Sequence, residues 1–444
     1  MSDYPTIEQW SISVTEESIT MWWSSDQVCD YIWYSTNNGQ SWHGVSIADD
    51  FTGQYEITGL SSNATYQIKT RVRSKDSGLV SESEVEEVQT YSWPYAKEMP
   101  DFTIGDKLTI RLYNPMFRQV TVNLIGADGS VVSTDTTYNQ QISGYAGEAV
   151  VEALYNSIPS APSGSYSVRV TYGTHVSVKS GGHYYVNENV CSPEIEAASY
   201  QDTNSATIAI TGDNQDLVRN KSIPRYTATG LEAKKGASIE SASVEVNGTE
   251  VDLVISGTSA QETGAALDSA TDLEAMFIVT DSRGLETRKK VTLTMLDWFA
   301  PLASISVKRQ GNTKSNTNLY AKAVYAPING NNSVTISYAC TKDGDSTPSV
   351  TGTLTDGVVS VAALDNAYAW SIDITLTDLL GGTTTYTETI AKGTPLIFFD
   401  KVKESVGVNC FPDNANSVEI VGELIVNGKK LVFNSNNTVT WTNA

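Results

Sequence analysis

The sequence predicts a mainly β protein made of tandem antiparallel β-sandwich domains, with one short helix near residues 147–157. Apolar and polar residues alternate along many short runs, for example at 167–172, 334–338 and 370–376. Period-two alternation places one face of a strand in a core and the other face in water. Turn dipeptides interrupt these runs at short intervals, and this spacing is typical of sandwiches or barrels rather than of βαβ units.

Asn-Gly and Asp-Gly pairs mark the expected hairpin turns because both tolerate the positive φ angles that tight hairpins require. The pairs include Asn38-Gly39, Asp128-Gly129, Asn247-Gly248, Asp343-Gly344, Asp356-Gly357 and Asn427-Gly428. A further turn is predicted at 281–284, where Asp281 would bond to backbone N–H groups and Gly284 would take the left-handed conformation. A ligand-binding role for Arg283 in this turn is the less favoured alternative.

The helix is predicted because apolar residues between Gly147 and Ser157 fall on one helical face. These residues are Val150, Val151, Leu154 and Tyr155. Pro159 and Pro162 follow them, and proline cannot continue a helix. We expect this segment to be the only substantial helix.

Composition and proline-containing linkers divide the chain into five expected regions. A typical domain holds roughly 100–150 residues, so a chain of 444 residues allows several domains. The linkers are Trp93-Pro94, Cys191-Ser192-Pro193, Trp298-Phe299-Ala300-Pro301 and Gly393-Thr394-Pro395. The expected regions are a strand-rich domain at 1–91, a β-sandwich with the short helix at 95–190, β-sandwiches at 191–299 and 300–394, and a C-terminal β segment at 395–444.

The segment 395–444 differs from the rest of the chain because it is short for an independent core. It contains an apolar run at 421–428 and then a polar tail rich in Asn and Thr. The apolar residues would be buried more easily against copies of the same chain. We therefore expect an oligomerisation element here, and among homo-oligomers a trimer is favoured.

The chain carries 29 Lys and Arg residues against 51 Asp and Glu residues, a net charge of −22. This charge opposes binding to nucleic acid, whose phosphates would be repelled, and gives no support for a polybasic membrane anchor. No secretory signal pattern opens the sequence, and no apolar window reaches the length of about 18 residues that spans a bilayer. We expect the protein to be made in a cytoplasm and not to insert into a membrane. Its charge suits a component of a soluble particle, or a partner with cationic character.

The sequence predicts no catalytic, cofactor-binding or metal-binding residues and hence no enzyme. The histidines His43, His175 and His183 lie outside known catalytic contexts. A metal bound by His175 and His183, which flank an expected turn at 180–182, is disfavoured because no ligand cluster lies nearby. Acidic turns at 213–216 and 343–345 offer oxygen ligands for Ca²⁺ but lack EF-hand spacing, so solvated turns are favoured.

The four cysteines are isolated in the sequence: Cys29, Cys191, Cys340 and Cys410. None of them has the short spacing to another cysteine that is typical of metal sites. In a reducing compartment, isolated cysteines usually behave as small buried apolar residues. We favour this interpretation over a disulfide or metal role.

Residues 59–73 carry a recognisable pattern, in which Leu60 precedes Tyr66 and Tyr66 begins a strand whose Ile68 and Val72 would face inward. This pattern resembles a fibronectin type III domain, although Ser62 stands where that family usually has proline. The resemblance implies that the Tyr66 ring is buried and that its hydroxyl bonds to the backbone.

Aromatic residues are dense in the same region. Trp22 or Trp23 is expected on an early strand, residues 31–34 on the next strand, and Trp42 after the following turn. Fibronectin type III modules mostly act as spacers, which is the favoured role here. Alternatively the aromatic side chains bind sugars, because pyranose faces pack well on indole rings.

Four motifs follow one another in the second half of the chain, at 221–224, 233–248, 279–284 and 298–301. Their order resembles the Ig-like repeat region of minor structural proteins in the tails of long-tailed phages of Gram-positive bacteria. Further similarities to that family lie at 147–157, 165–172, 393–412 and 422–428. The resemblance implies Ig-like domains within 191–394 and a location in the virion, in a tail tip, baseplate or fibre.

Three classes of function are compatible with these features. The favoured class is a structural phage-tail protein made in the host cytoplasm, with other tail proteins and a host cell-wall glycan or surface protein as partners. Its rigid modules would project a binding surface, and multiple copies would add avidity to weak contacts. The alternatives are a bacterial surface or secreted adhesin made of Ig-like modules, and a modular glycan-active enzyme.

Overall fold

The computed structural model describes residues 3–393, 397–433 and 439–443. The chain is mainly β, as predicted, and its sheets are largely antiparallel. It divides into two compact units, the first comprising Met1–Ile195, Leu231–Ser241 and Val279–Thr287, and the second comprising Glu196–Gly230, Ala242–Ile278 and Arg288–Ala444. The boundaries of the five expected regions stay predictions, and Thr394 and Pro395 of the last linker lie outside the described residues.

Six strands form the N-terminal region: β1 (Glu8–Val14), β2 (Ile19–Ser35), β3 (His43–Ile57), β4 (Thr65–Ser74), β5 (Val80–Glu82) and β6 (Glu86–Gln89). The strand order is β1-β2-β4-β5, with β3 paired to β2 and β6 paired to β4. Trp23, Ile32 and Ile68 lie in their shared core. The two aromatic strands that the sequence predicted are parts of one strand, β2, which is interrupted by register shifts.

Residues 95–191 form two sheets and contain the predicted helix. The elements are β7 (Tyr95–Glu98), β8 (Phe102–Thr103), β9 (Leu108–Tyr113), β10 (Val120–Ile125), β11 (Val131–Thr137), β12 (Gln141–Gly144), α1 (Glu148–Asn156), β13 (Ser163–Tyr172), β14 (His175–Tyr185) and α2 (Glu188–Cys191). The sheet orders are β11-β10-β13-β14-β8 and β12-β9-β7. Leu154 and Tyr155 of α1 are buried in the core of this region.

Gly181 and Gly182 lie within β14, so the turn expected at 180–182 is wrong. Tyr166 on β13 is paired with Gly182, and a Cβ at Gly182 would come within 2.2 Å of the Tyr166 ring. The register shifts between Tyr166 and Ser167, and Gly181 has a φ of +104°. The two glycines therefore form a β-bulge that lets the strand pass over a buried tyrosine.

The next elements are β15 (Glu194–Asp202), α3 (Ser205–Thr211), β16 (Asp216–Val218), β17 (Pro224–Glu232), β18 (Ile239–Val246), β19 (Thr249–Asp252), β20 (Val254–Ser256), β21 (Ser259–Thr263), β22 (Leu273–Asp281) and β23 (Glu286–Leu296). The sheet orders are β15-β17-β21-β20 and β16-β23-β22-β18-β19. β18 and β19 are joined by Asn247 and Gly248, whose φ angles of +50° and +75° confirm the predicted tight turn.

Helix α3 corrects the expectation of a single substantial helix. The side chain of Asn204 accepts a hydrogen bond from the N–H of Ala206 at 3.0 Å and so caps the helix start. Gly212 ends the helix with a φ of +76°. None of the helices in the described part of the chain is long and apolar enough to cross a membrane.

Seven strands follow in the second unit: β24 (Leu302–Arg309), β25 (Asn316–Val324), β26 (Val334–Lys342), β27 (Val350–Leu354), β28 (Ser360–Ala363), β29 (Trp370–Asp378) and β30 (Thr383–Ile390). They form sheets of order β24-β25-β28 and β27-β26-β29-β30. Leu319, Ile336 and Ile372 lie in their shared core. The alternating runs at 334–338 and 370–376 are therefore strands, as the sequence predicted.

The C-terminal segment contains β31 (Ile397–Asp400), β32 (Ser405–Val408), β33 (Val418–Ile420), β34 (Ile425–Val426), β35 (Lys429–Phe433) and β36 (Val439–Asn443). These strands form two sheets of three strands, β31-β32-β33 and β34-β35-β36. Asn427 and Gly428, with φ angles of +48° and +73°, form the predicted turn between β34 and β35. Residues 434–438 of the polar tail lie outside the described residues.

Candidate functional site

Aromatic and arginine side chains share one face of the N-terminal sheet. Tyr31 and Trp33 project outward from β2 because Ile32 between them is buried in the core. The strand register places Tyr31 opposite Arg73 and Trp33 opposite Arg71 on β4. We define the aromatic–arginine surface as Tyr31, Trp33, Trp42, Arg71 and Arg73.

The side chains of the aromatic–arginine surface stack on one another. The Arg71 guanidinium lies 4.0 Å from the centre of the Trp42 ring, and the Arg73 guanidinium lies 5.5 Å from the Tyr31 ring. The Tyr31 and Trp33 rings are 4.5 Å apart. A guanidinium above an aromatic face is held by electrostatic attraction. Part of each ring face is thus covered by the protein itself, and the three rings remain partly accessible to solvent.

Acidic residues hold the two arginines in place. Arg73 donates to the two carboxylate oxygens of Asp30 at 2.8 and 2.9 Å. These hydrogen bonds lower the pKa of Asp30 and raise the pKa of Arg73. Arg71 donates to Glu82 in the same way, and this hydrogen bond lowers the pKa of Glu82. The surface is therefore preorganised, because each guanidinium is tied to a carboxylate.

The structure separates the other aromatic residues that the sequence grouped with this surface. Trp23 belongs to the core and is only 1% exposed, whereas Trp22 faces outward and stacks on Trp10 with ring centres 3.8 Å apart. Tyr34 packs against Tyr55 at 5.5 Å. The sequence could not decide between Trp22 and Trp23, because the choice depends on which side of β2 is covered.

The predicted hydrogen bond of the Tyr66 hydroxyl to the backbone is confirmed, whereas its ring is only partly buried. Its hydroxyl accepts a hydrogen bond from the N–H of Ser61 at 2.7 Å, and its ring packs against the N-terminal core. Ile68 and Val72, which were expected to face inward, have no exposed surface. This part of the chain therefore has a structural role.

The linker at Trp93 is packed against its surroundings. Its ring stacks on His175 with ring centres 3.7 Å apart and lies 5.8 Å from Tyr172. Glu16, which is 1% exposed, accepts a hydrogen bond from Arg118 at 2.8 Å. This hydrogen bond raises the pKa of Arg118. Within the first unit, the N-terminal sheet is thus fixed to the sandwich that follows it, which the sequence did not reveal.

Arg283 makes the most extensive contact of the first unit. It is 3% exposed and donates to the carbonyl oxygens of Ile158 at 3.1 Å, Tyr155 at 3.3 Å and Lys234 at 2.9 Å. It also donates to the carbonyl of Lys235. Carbonyls at a helix C-terminus lack partners within the helix and interact favourably with a cation. The guanidinium therefore joins the end of α1 to the segment at 231–241, and we call this contact the Arg283 clamp.

The turn that carries Arg283 forms as predicted. Asp281 accepts hydrogen bonds from the N–H groups of Arg283 and Leu285, both at 2.9 Å, and Gly284 has a φ of +80°. Ser282 in the same turn donates to the carbonyl of Pro159 at 2.7 Å. The sequence showed the turn but not its burial, because the carbonyls that Arg283 contacts lie between 48 and 128 residues earlier in the chain.

In the second unit, the linker residue Trp298 is also packed. Its indole N–H donates to Asp378 at 2.8 Å, and the ammonium of Lys221 lies 4.1 Å from its ring centre. Asn331 donates to the carbonyl of Ile210 at 2.8 Å. Trp298 packs against a small buried cluster of Ile210, Val218, Ala326 and Ile328. This linker is therefore fixed by both apolar packing and hydrogen bonds.

The histidines lie apart from one another. His175 and His183 are the first and ninth residues of β14, which separates them by roughly 26 Å along an extended strand. His183 lies 3.5 Å from Asp101, and His43 stacks on Tyr34 at 5.2 Å. The two histidines of β14 are thus too distant to bind one metal ion together.

The acidic turn at 213–216 is held by protein hydrogen bonds. Asp216 accepts from the amide of Asn329 at 3.0 Å, and Asp213 accepts from the N–H of Gln215 at 2.9 Å. In the second acidic turn, the N–H of Asp345 donates to a backbone carbonyl at 3.0 Å. Within 3–393, 397–433 and 439–443, no group of three or more His, Cys, Asp or Glu residues is placed to hold a metal ion.

All four cysteines, Cys29, Cys191, Cys340 and Cys410, are buried and carry free thiols. Burial raises the pKa of the Cys29 thiol, and it raises the pKa of the Cys340 thiol to about 11. A thiol with a raised pKa is a weak nucleophile because the thiolate is the reactive form. The expectation that these cysteines are small buried residues is confirmed.

A protein-family model matches residues 99–353, which is more than half of the chain. Its description is "Siphovirus protein of unknown function (DUF859)". The chain belongs to this siphovirus family. The DUF859 region includes α1, the Arg283 clamp and the packed Trp298 linker. It also includes the motifs at 221–224, 233–248, 279–284 and 298–301 that carry the resemblance to phage tail proteins.

Three solved structures are among those to which this DUF859 protein is similar. One, described as "Ca2+-stabilized adhesin helps an Antarctic bacterium reach out and bind ice", is 13% identical with a TM-score of 0.34, covering 87% of this chain and 98% of that chain. Chicken CNTN1 domains FN1–FN3 are 11% identical with a TM-score of 0.18, covering 66% and 99%. The fibronectin(III)-like modules of Clostridium thermocellum CbhA are 11% identical with a TM-score of 0.20, covering 46% and 95%. Comparison with curated proteins found no match.

Proposed function

We propose that this protein is a non-enzymatic structural component of a phage tail, located in the tail tip, baseplate or fibre, and that it contributes to attachment to the host surface. The observation that carries the proposal is the match of residues 99–353 to a siphovirus protein family. The mainly β architecture and the packed linkers support it.

The packed linkers suit a protein that must hold binding surfaces in position. Adjacent domains within a chain move relative to one another unless their contact is extensive. In the first unit, the Glu16–Arg118 pair and the Arg283 clamp use buried hydrogen bonds at such contacts. In the second unit, Trp298 has the same role. Bending at these points would leave buried polar groups without partners, which is costly.

The proposed partners are other tail proteins, further copies of this chain, and a cell-wall glycan or surface protein of a Gram-positive host. A net charge of −22 supports neutral or cationic partners and opposes nucleic acid. Synthesis takes place in the host cytoplasm, and the protein reaches the outside as part of the virion.

Labelling of intact particles tests this proposal. Fab fragments raised against residues 3–91 are added to purified phage, and the labelled position is determined by electron microscopy. We expect label at one end of the tail, and mass spectrometry of the same particles to detect the chain. A chain that is abundant in the lysate but missing from purified particles would refute a virion role.

The aromatic–arginine surface supports a second candidate function, binding of a host glycan. Trp33 and its neighbours offer ring surface next to guanidinium groups held by carboxylates. Sugar rings pack on indole faces, and the polar groups could bond to sugar hydroxyls. We expect Trp33→Ala to reduce binding of the protein to purified host cell walls, whereas Trp10→Ala, at an exposed tryptophan of the same region, leaves binding unchanged. Equal binding by both variants would exclude this surface.

The same cell-wall preparation tests the enzyme alternative, and uninfected cells test the adhesin alternative. A glycan-active enzyme would release reducing sugars over time, whereas the proposed structural protein leaves the cell wall unchanged. A bacterial adhesin would be found on the surface of uninfected cells that carry the gene. Detection of the chain there, without phage particles, would favour the adhesin over the tail protein.

A further inference from the structure

The sheet β31-β32-β33 carries an apolar face that is open to solvent. Ile397 pairs with Val408 and Phe399 with Val406 across β31 and β32. β33 continues the same row by pairing Val418 with Val406 and Ile420 with Val408. Paired residues project to the same side of a sheet. We define the first apolar face as Ile397, Phe399, Val406, Val408, Val418 and Ile420.

Exposure of the first apolar face is high for a set of apolar side chains. Phe399 is 70% exposed, Val418 is 68% exposed and Ile397 is 58% exposed. Soluble monomers rarely leave contiguous apolar patches larger than a few hundred Å² in contact with water. A surface of this kind usually marks an interaction site.

The opposite side of this sheet is already covered by its own loop. Phe411 packs on Phe398 with ring centres 4.7 Å apart, and Cys410 is only 9% exposed. A Cβ on Gly407 would come within 2.2 Å of the carbonyl oxygen of Cys410, so the loop lies directly on the sheet. Only the first apolar face of this sheet therefore lacks a covering layer among the described residues.

The second sheet, β34-β35-β36, repeats the arrangement. Leu431 pairs with Trp441 and Phe433 with Val439, which places these four side chains on one side. Phe433 is 77% exposed and Trp441 is 49% exposed. We define the second apolar face as Leu431, Phe433, Val439 and Trp441. A sheet of three strands needs a covered apolar face to be stable.

Charge indicates which partner covers these faces. Residues 397–444 contain five acidic and four basic residues, a net charge of −1, whereas the whole chain has a net charge of −22. Identical copies of this acidic chain repel one another over most of their length, but not at this segment. The ten residues of the two faces are all apolar, and Lys429, on the same side of β35 as Leu431, is a charged neighbour of the second face.

We infer that the first apolar face of one copy packs against the second apolar face of another copy, which makes the segment formed by 397–433 and 439–443 a self-association element. Contacts between two different faces of identical chains cover every such face when they close into a ring. Among such closed rings we expect the homotrimer that the sequence favours. This inference concerns the isolated chain and does not depend on the proposed role in a tail.

Mass measurement of the full chain tests the inference. Size-exclusion chromatography with light scattering is expected to give about 144 kDa, three times the 48.0 kDa of one chain. A mass of one chain at micromolar concentration would overturn self-association, and a mass of two chains would overturn the trimer. Neither result would affect the proposed tail location, which the labelling of particles tests separately.

Two variants test the faces. Phe399→Asp on the first face and Trp441→Asp on the second each place a charge where the neighbouring copy packs. We expect association to weaken on the order of 100-fold or more, because a buried unpaired charge is costly. The control is Val178→Asp, at an apolar residue of β14 that is 54% exposed, and we expect it to remain trimeric. Equal behaviour of all three variants would refute the assignment.

Cysteine cross-linking provides a test that does not depend on the folding of the aspartate variants. Chains with Val418→Cys and chains with Leu431→Cys are co-expressed and oxidised. We expect a disulfide-linked pair of chains, because these positions lie on the two faces proposed to meet. Val178→Cys co-expressed with Leu431→Cys serves as the control and should give no such product. Absence of the cross-link in an oligomeric protein would show that other surfaces hold the copies together.

Discussion

The sandwich at 95–191 and the segment at 397–443 share the same alternating pattern but differ in burial. In the sandwich, Leu108, Val122 and Val168 face a common core and are at most 1% exposed. In the C-terminal segment, residues in equivalent positions, such as Phe399 and Val418, keep more than half of their surface exposed. Alternation therefore decides which residues share a face, whereas a second layer decides whether that face is buried.

Among the changes that affect the sandwich at 95–191, loss of the Arg283 clamp should reduce stability the most. Arg283→Ala removes the guanidinium donor from the carbonyls of Ile158 and Lys235, and we expect a loss of about 3–5 kcal/mol in the free energy of unfolding of the first unit. Arg283→Lys should recover only part of it, because an ammonium cannot reach all the carbonyls that a guanidinium reaches. Urea denaturation, monitored by tryptophan fluorescence, measures the free energy of unfolding of both variants.

A matched control for the clamp is Arg111→Ala. The side chain of Arg111 is 65% exposed and pairs with Glu98 at 3.4 Å. Exposed pairs contribute about 0–1 kcal/mol, so we expect little change in unfolding. If Arg111→Ala and Arg283→Ala had equal effects, burial of the guanidinium would not be the source of its contribution.

The bulge in β14 should give the next largest effect. Gly182→Ala places a methyl group against the Tyr166 ring, and we expect a loss of about 2 kcal/mol because overpacking forces the core to shift. Gly144→Ala, at a position with open space around its Cβ, should have almost no effect. Thermal unfolding compares the two variants directly. A similar melting temperature for both would argue against close packing of the Tyr166 ring on residue 182.

Cysteine reactivity compares the two regions within one molecule. Cys191 has no exposed surface and lies in the core of the sandwich, whereas Cys410 is 9% exposed in the C-terminal segment. Local opening is easier where few apolar contacts are buried, so we expect Cys410 to react with a thiol reagent roughly tenfold faster. Peptide mass mapping after brief labelling measures the two rates. Equal rates would mean that the segment is as firmly packed as the sandwich.

The smallest effect is expected from acidification of the C-terminal loop. Glu419 accepts hydrogen bonds from the N–H groups of Asp413 and Asn414, which lower its pKa to about 2. A carboxylate with a lowered pKa stabilises the folded state above its unfolded pKa of about 4.3, and this contribution is lost as the pH falls towards 2. Amide exchange in 409–417, corrected for its intrinsic pH dependence, should therefore become faster between pH 5 and pH 2.

Glu419→Gln provides the control for the acid effect. The amide cannot ionise in this range, so the variant should show loop exchange that does not depend on this titration. If the variant and the natural chain responded to acid in the same way, another group would be responsible. The effect is expected to be modest because Glu419 is solvated.

Several features could be predicted from the sequence because they depend on neighbouring residues. Asn247-Gly248 and Asn427-Gly428 form turns through their own backbone preferences, and Tyr66 bonds to a residue five positions away. The Arg283 clamp could not be predicted, because its guanidinium reaches a carbonyl 125 residues earlier. The glycines at 181 and 182 were misjudged for a similar reason, since only the pairing of β13 and β14 shows Tyr166 beneath them.

The sequence by itself determined the mainly β architecture, the positions of many strands and turns, the helix near 147–157 and the distribution of charge, because these follow from local patterns. Only the tertiary structure decided which aromatic residues share the aromatic–arginine surface, where Arg283 is buried and which apolar faces stay open. These outcomes depend on contacts between segments that are distant in the chain. Whether a side chain lies in a core, in a clamp or at an interface depends on which segments the fold packs against it. Alternation alone does not contain that information.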